Sequence, residues 1–155
     1  MGFGGLSVKG RALRYLAQRE HSRQELERKL ARVVEDTAEA SAAEQIAAAL
    51  DDLAAKGLLS EARTAASVLQ SQGQRYGSRR LKQTLQAKGL APELVAQTLQ
   101  QARGTELERA REVWRRRFGE PASDPAARAK QMRFLAGRGF DGDVIRRVVQ
   151  ASEDD

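Results

Sequence analysis

The sequence predicts an all-α protein, because helical spacing, helix-capping residues and a repeated helical unit all occur along its 155 residues. Apolar residues recur every three or four positions in nearly every segment, and no run of alternating β-branched residues is present. The repeat joins "LQAKGLAPELVAQTLQ" at residues 85–100 to "LAGRGFDGDVIRRVVQ" at residues 135–150. Such a repeat is typical of a small unit that buries its apolar face against a copy of itself.

Local start and stop signals divide the chain into nine helices. Three hydroxyl residues precede a glutamate by three positions, the spacing of a capping box, at Ser22/Glu25, Ser41/Glu44 and Thr105/Glu108. Other signals are helix starts at Ala91-Pro92, Asp124-Pro125 and Asp141, and helix ends at Gly57, Gly89 and Gly139. We therefore predict helices near residues 9–19, 22–33, 41–56, 60–73, 78–88, 92–103, 105–118, 125–137 and 141–151.

The nine helices group as three sets of three. A shift of fifty residues aligns Leu85 with Leu135, Lys88-Gly89-Leu90 with Arg138-Gly139-Phe140, Leu94-Val95 with Val144-Ile145, and Leu99 with Val149. In the first set the corresponding positions are Leu30, Ile46 and Leu50. We predict three tandem three-helix modules, helix-turn-helix-like, in an elongated and curved array. The expected boundaries are a flexible N-terminus 1–8, modules 9–57, 58–103 and 104–151, and an acidic tail 152–155.

Composition argues against several classes of protein. The chain has no cysteine and a single histidine, His21, so thiol chemistry and a histidine-rich metal site are excluded. His21 stands at a helix start, where we interpret it as a neighbour of the cap. Asp51 and Asp52 are adjacent in sequence and point about 100° apart on a helix, so they cannot form a carboxylate pair that converges on one substrate. We expect no active site, no cofactor and no small-molecule substrate. Because no segment has the roughly 20 apolar residues of a membrane span, we expect a cytoplasmic protein without membrane contact.

Charge is distributed in blocks along the chain. Residues 9–32 carry eight basic and three acidic residues, a balance of +5, whereas residues 33–62 carry one basic and seven acidic residues, a balance of −6. Residues 63–90 carry six basic residues and no acidic one. Alternation of this kind indicates a partner that is itself electrostatically patterned, although solvated helix faces would look the same.

Basic residues accompany the apolar spacing on equivalent helices, and we group them as the basic stripe. Its predicted members are Arg23, Arg28, Lys29, Arg75, Arg79, Arg80, Lys82, Lys88, Arg128, Lys130, Arg133, Arg138, Arg146 and Arg147. A row of cations on repeated helices suits phosphates or acidic grooves. Trp114 and Phe118 follow helical spacing, so we interpret them as core residues rather than a platform on which bases stack.

One interpretation of the first sixty residues is a winged helix-turn-helix, which would make the chain a stand-alone DNA-binding protein. Residues 41–56 would then be the recognition helix. That helix carries Glu44, Asp51 and Asp52 against a single Lys56, and alanine-rich sequence stands where a wing requires strands. Both features argue against this interpretation, which we keep only as the alternative.

Four segments together resemble a known family. The succession "ALRYLAQREHSRQELERKL", "LAAKGLLSEARTA", "YGSRRLKQTLQAKGL" and "FLAGRGFDGDVIRRVV" is similar in order and spacing to the RecX family, the regulators of the RecA recombinase. The resemblance covers roughly residues 9–150. The chain departs from the family pattern at Glu61, Thr64 and Gln72, where the family usually has an aspartate, an apolar aromatic and a basic residue.

The resemblance implies a non-enzymatic function. RecX-like proteins consist of three tandem three-helix modules that bind the RecA nucleoprotein filament in its helical groove. They inhibit three activities of RecA, namely strand exchange, the accompanying ATP hydrolysis and the coprotease activity. These activities belong to homologous recombination, DNA repair and the SOS response. We accordingly expect the RecA filament as the partner, a weak and salt-dependent contact with DNA, and a monomeric chain.

Overall fold

The computed structural model describes residues 5–154, which contain nine α-helices and no strand. The all-α prediction is therefore confirmed for this part of the chain. In chain order the helices are α1 (Val8–Gln18), α2 (Arg23–Ala31), α3 (Ala42–Ala55), α4 (Glu61–Gln72), α5 (Ser78–Ala87), α6 (Pro92–Gly104), α7 (Glu106–Arg117), α8 (Pro125–Gly137) and α9 (Gly142–Asp154). Half of the predicted flexible N-terminus, residues 1–4, and the last residue of the predicted acidic tail lie outside the described residues.

The helices begin and end within three residues of the predicted positions. Ser22 and Ser41 form complete capping boxes with Glu25 and Glu44. Positive φ angles of 75°, 73° and 87° at the predicted helix ends require glycine, at Gly57, Gly89 and Gly139. The largest difference is at the C-terminal end of α9, which continues past residue 151 to Asp154.

The third predicted capping box is wrong. Thr105 has φ −118° and ψ 4°, and its hydroxyl caps no backbone N–H. The reason is that α6 continues to Gly104 and α7 begins at Glu106, so no extended residue separates the two helices. The Thr105 hydroxyl instead donates weakly to Ala102 O at 3.4 Å and accepts from Arg109 Nε at 3.0 Å.

The described chain divides into two compact units. The first comprises the residues up to Ala65 together with Lys88–Leu90, and the second comprises Ala66–Ala87 and the residues from Ala91. In the first unit α1, α2 and α3 enclose a core of Ala12, Leu26, Leu30, Ile46, Leu50, Leu53 and Leu59. In the second unit α7, α8 and α9 enclose a core of Ala110, Val113, Leu135, Phe140, Ile145, Val148 and Val149.

Most apolar positions matched by the fifty-residue shift are buried in both copies, and Leu94 and Val144 are half-buried. The side chains of Leu85 and Leu135 are fully buried, and those of Val95 and Ile145 are 5% and 4% exposed. Leu90 and Phe140, which follow the helix-ending glycines, are buried as well. Leu30, Ile46 and Leu50 of the first set are buried as well. The repeat is therefore a repeat of core positions. No helix within residues 5–154 has both the length and the apolar content needed to cross a membrane.

The two predicted core aromatics occupy different environments. Trp114 packs against the α7–α8–α9 core, and its Nε1–H donates to Gln131 Oε1 at 2.9 Å. Phe118 lies edge-on against Phe134, with ring centroids 5.5 Å apart. Both Trp114 and Phe118 are half-buried, so neither lies fully inside the core.

Candidate anion-binding surface

Ten of the fourteen residues in the predicted basic stripe are exposed. Only Arg23, Lys29, Lys88 and Arg138 are half-buried. Four of the fourteen belong to the first unit, namely Arg23, Arg28, Lys29 and Lys88, and the other ten belong to the second. What distinguishes them is whether the chain itself supplies a counter-ion.

In the first unit most of these cations have internal partners. Arg23 Nη2 pairs with Asp51 at 2.8 Å, and Lys88 Nζ pairs with Glu25 at 3.0 Å. Lys29 Nζ donates to His21 Nε2 at 2.8 Å. Arg28 is exposed and has no ion pair within the residues described. Three of the four cations predicted to bind a partner are thus engaged in holding the unit together.

Glu25 is the electrostatic centre of the first unit. Its carboxylate accepts hydrogen bonds from Arg19 at 2.7 Å, from Lys88 at 3.0 Å and from the backbone N–H of Ser22 at 3.0 Å. Burial alone would raise the pKa of Glu25, but these three hydrogen bonds lower it to about 2. The carboxylate is therefore charged at any physiological pH, and its hydrogen-bond partners all belong to the same chain.

His21 is buried rather than merely adjacent to a cap. Because a carbonyl oxygen only accepts, Nδ1 must carry the proton and donate to Arg19 O at 3.0 Å. The other nitrogen then accepts from Lys29 Nζ, and the ring lies 5.7 Å from that of Tyr15. Burial lowers the pKa of His21, and the charges of Arg19 and Lys29 lower it further. His21 is thus a neutral structural residue.

A corner of the chain packs on the N-terminal end of α2, and we call this contact the first corner. Ser22 Oγ donates to Lys88 O at 2.6 Å, and Gly89 lies so close to Gln24 that a Cβ atom would overlap it. Two side chains from α4 complete the contact. Glu61 accepts from the backbone N–H of Arg23 at 2.9 Å, and Thr64 Oγ1 donates to His21 O at 3.0 Å.

The second corner repeats this contact on the N-terminal end of α5. The N–H of Gly77 donates to Arg138 O at 2.9 Å, and the N–H of Arg79 donates to Gly139 O at 3.0 Å. Glu106 accepts from the backbone N–H of Ser78 at 2.9 Å. Arg109 donates to Tyr76 O and Gly73 O, both at 2.7 Å.

The two corners are equivalent residue by residue. Adding 55 to the α2 positions gives the α5 positions, so that His21, Ser22, Arg23 and Glu25 correspond to Tyr76, Gly77, Ser78 and Arg80. Adding 45 takes Glu61 and Thr64 to Glu106 and Arg109, and adding 50 takes Lys88 to Arg138. Equivalent residues meet at the two corners, but Lys88 O accepts from the Ser22 hydroxyl whereas Arg138 O accepts from the Gly77 N–H. The charges also differ, because an arginine occupies the position of Glu25.

Around the second corner, arginines surround aromatic rings. The guanidinium carbons of Arg80, Arg75 and Arg138 lie 4.5, 5.3 and 5.7 Å from the Tyr76 ring centroid. Arg138 and Arg117 lie 5.1 and 5.3 Å from the Phe134 centroid, and Arg117 lies 5.7 Å from that of Phe118. We call these seven residues the arginine–aromatic cluster. None of its four arginines has an ion pair within residues 5–154.

The remaining stripe residues of the second unit are of two kinds. Arg128 holds Glu153 through two hydrogen bonds of 2.6 and 2.8 Å, Arg146 pairs with Asp143, and Arg79 lies 3.6 Å from Asp141. The others are exposed cations without an ion pair in the described part of the chain, namely Lys82, Lys130, Arg133 and Arg147.

Sequence reasoning missed two features of this surface. Arg117 lies in an arginine run at the end of α7 and was not assigned to the stripe, and Tyr76 and Phe134 were not recognised as the rings on which arginines stack. The run of three arginines was the only local signal. A cluster of guanidiniums without carboxylates can bind a polyanion through charge and paired hydrogen bonds.

Comparison with known proteins gives one consistent result. Models of three successive domains match the chain, described as the RecX first three-helix domain at residues 9–40, the second at 60–99 and the third at 105–149. The chain is 52% identical over 148 residues to a regulatory protein RecX of Leptothrix cholodnii, with 96% of this chain and 90% of that protein covered. It is 43% identical to that of Ralstonia nicotianae, with 96% and 89% covered.

Two solved structures have the same fold. A RecX crystal structure from Lactobacillus salivarius superposes with a TM-score of 0.76 at 21% identity, and each chain is covered to 96%. A second crystal structure, of a regulatory protein RecX, superposes with a TM-score of 0.71 at 22% identity, covering 96% of this chain and 72% of the other.

Proposed function

Because the chain belongs to the RecX family of regulatory proteins, we propose that it binds the RecA–DNA filament and inhibits the recombinase, ATPase and coprotease activities of RecA. It acts in the cytoplasm, in recombination, DNA repair and the SOS response, as a monomer. It is not an enzyme, and it uses no cofactor, membrane or small-molecule substrate.

The observation that carries this proposal is the set of exposed basic-stripe cations in the second unit that have no counter-ion within the described residues. Within the described residues, Arg75, Arg80, Lys82, Lys130, Arg133 and Arg147 are exposed and form no ion pair. Cations that the chain does not neutralise attract an acidic protein surface or a phosphate backbone. The acidic face of α3, with Glu44 and Asp51, would meet a basic patch of the same partner.

The three-module organisation supports binding to a polymer. We propose modules at residues 9–57, 58–103 and 104–151, each presenting cations from its second helix, and Arg146 and Arg147 add two more from α9. Contacts spread over several protomers of a filament give avidity even when each contact is weak. Inhibition then requires occupancy of the filament and no chemical step.

A triple charge reversal tests the proposal. The variant Arg79→Glu/Arg80→Glu/Lys82→Glu changes three exposed cations of α5. The control variant Arg14→Glu/Arg103→Glu/Arg111→Glu changes the net charge equally, at exposed arginines outside the stripe. Inhibition of the DNA-dependent ATPase of RecA should weaken by about tenfold or more in the first variant and by about twofold or less in the control. Equal inhibition by both variants would show that the α5 cations are only a solvated face.

The alternative function is that of a stand-alone DNA-binding protein of helix-turn-helix type. Its would-be recognition helix α3 exposes Ala43, Glu44, Ala47, Ala48 and Asp51, a surface that repels phosphates. Binding to bare duplex DNA and to RecA-coated DNA at the same moderate salt separates the two functions. Tight and sequence-dependent binding to the bare duplex would favour the alternative.

A further inference from the structure

The two equivalent corners differ in how their charge is neutralised. At the first corner the cation after α5, Lys88, is 3.0 Å from Glu25, and both side chains are more than four-fifths buried. At the second corner the corresponding cation is Arg138, and the position of Glu25 is taken by Arg80. Equivalent positions thus carry an internal ion pair in one copy and two like charges in the other.

The like charges at the second corner are held together by aromatic rings. Arg75, Arg80 and Arg138 all lie within 6 Å of the Tyr76 ring centroid, and Arg117 and Arg138 lie within 6 Å of that of Phe134. A ring face attracts a guanidinium and partly offsets the repulsion between neighbouring cations. The chain therefore stabilises a concentration of positive charge that it does not neutralise within residues 5–154.

The missing counter-ion has to carry several negative charges. Where the chain neutralises such a site itself, a single carboxylate, Glu25, serves Arg19 and Lys88. Four guanidiniums within one cluster match a ligand whose charges repeat at short intervals, and the planar fork of arginine fits the two oxygens of a phosphate. Half-buried rings beside the cations are the combination that single-stranded nucleic acids occupy.

We propose that the arginine–aromatic cluster binds the phosphodiester backbone of single-stranded DNA. Arg75, Arg80, Arg117 and Arg138 contact successive phosphates, and the exposed edges of Tyr76, Phe118 and Phe134 contact the sugars and bases. The binding is insensitive to sequence, because none of these groups reads a base edge. The inference rests on the proposed function for the presence of DNA at the bound filament, and it assigns the DNA contact to one place on the chain.

The test restores the missing carboxylate. Arg80→Glu places an acid where the first corner has Glu25, so that it can pair with Arg138 and neutralise the cluster without removing a core contact. The matched control is Arg111→Glu, an exposed cation of α7 that lies outside the basic stripe and has no ion pair in the described chain. Binding is measured as fluorescence anisotropy of labelled oligo(dT) of about 20 nucleotides, with no recombinase present, over a series of salt concentrations.

We expect Arg80→Glu to lose about tenfold or more in affinity for oligo(dT) and to lower the salt dependence by one to two phosphate contacts, about 0.7 to 1.4 in slope. Arg111→Glu should lose about twofold or less. The thermal unfolding midpoint of Arg80→Glu should not fall. If Arg80→Glu unfolds, the variant Arg75→Gln tests the proposal instead, with an expected loss of about threefold in affinity for oligo(dT).

Equal losses in Arg80→Glu and Arg111→Glu, or no loss in either, would overturn the proposal. Displacement of oligo(dT) by polyglutamate at equal charge concentration would also overturn it, in favour of an acidic protein surface. Because recombinase is absent, failure of this experiment is distinct from failure of the proposed function. A chain that does not bind oligo(dT) but still inhibits the RecA ATPase loses only this inference.

Discussion

At the residue scale, Glu25 shows how one side chain can link local and distant parts of the chain. It belongs to the capping box of α2, and it also pairs with Lys88, which lies 63 residues away in sequence. The side chains of Glu25 and Lys88 are only 17% and 18% exposed, so solvent screens this pair weakly. The first corner therefore depends on the charge of a single carboxylate.

We predict that Glu25→Gln destabilises the fold in a pH-dependent way. The pKa of Glu25 is about 2 in the folded chain against an ordinary 4.5, so its charge stabilises the fold above pH 4.5. That stabilisation is lost as the pH falls from 4.5 toward 2. Chemical unfolding should show a loss of about 2 kcal/mol at neutral pH, most of which disappears near the folded pKa.

The control for this experiment is Glu27→Gln. Glu27 is exposed and has one ion pair of 3.7 Å with Arg23, so its substitution should change the free energy of unfolding by about 0.5 kcal/mol or less. A loss in Glu25→Gln that is the same at acidic and neutral pH would mean that shape, and not charge, explains the role of Glu25.

His21 gives a second residue-scale prediction. Because burial lowers the pKa of His21 below 6.5, the neutral imidazole stabilises the fold above pH 6.5, and this contribution is lost as the pH falls through the folded pKa. The chain has one histidine, so its imidazole proton resonances can be followed by NMR without assignment. The titration midpoint should lie below 6.5 in the folded chain and near 6.5 in urea. A folded midpoint at or above 6.5 would contradict the hydrogen-bonding arrangement with Lys29 and Arg19.

At the scale of the elements, the glycine of each corner sets how closely helices approach. Gly139 has φ 87°, and a Cβ atom there would lie 2.5 Å from the Cβ of Arg80. Gly137, two residues earlier, ends α8 in open space with nothing within 4 Å of a Cβ. The two glycines therefore provide a matched pair on one corner.

We predict opposite effects for alanine at these two positions. Gly139→Ala should lower the free energy of unfolding by about 1 to 3 kcal/mol, because it adds backbone strain and a clash. Gly137→Ala should leave it unchanged or raise it by up to about 1 kcal/mol, because alanine is the better helix former. Equal effects in chemical unfolding would mean that the second corner is not closely packed.

Sequence patterns predicted the elements well where the signal is local. Two capping boxes, the helix-ending glycines and the apolar spacing each act within a few residues, so they could be identified directly. The capping box predicted at Thr105 is wrong, because α6 continues to the residue before it and no extended cap residue precedes α7. Glu61 and Glu106 cap the helices α2 and α5 from 38 and 28 residues away, and no local spacing indicates such a contact.

At the scale of the whole molecule, the repeat indicated the modules, but it did not indicate which of their cations form ion pairs within the chain. The fifty-residue shift placed cations on equivalent helices, and it could not show that Lys88 and Arg23 are neutralised within the chain. Nor could it show that Arg117 joins Arg138 over Phe134, because that contact depends on how α7 and α8 pack. Sequence therefore predicted which helices carry cations, and the three-dimensional contacts show which of these cations are neutralised within the described chain.

We propose that this chain binds the recombinase filament much more strongly than it binds free RecA or bare DNA. The most direct measurement is a pull-down of RecA by the immobilised chain, with ATP and single-stranded DNA each present or absent. Retention should be strong only when both are present and the filament forms, because avidity requires consecutive protomers. Retention that is equal in all four conditions, or absent from all of them, would contradict the account.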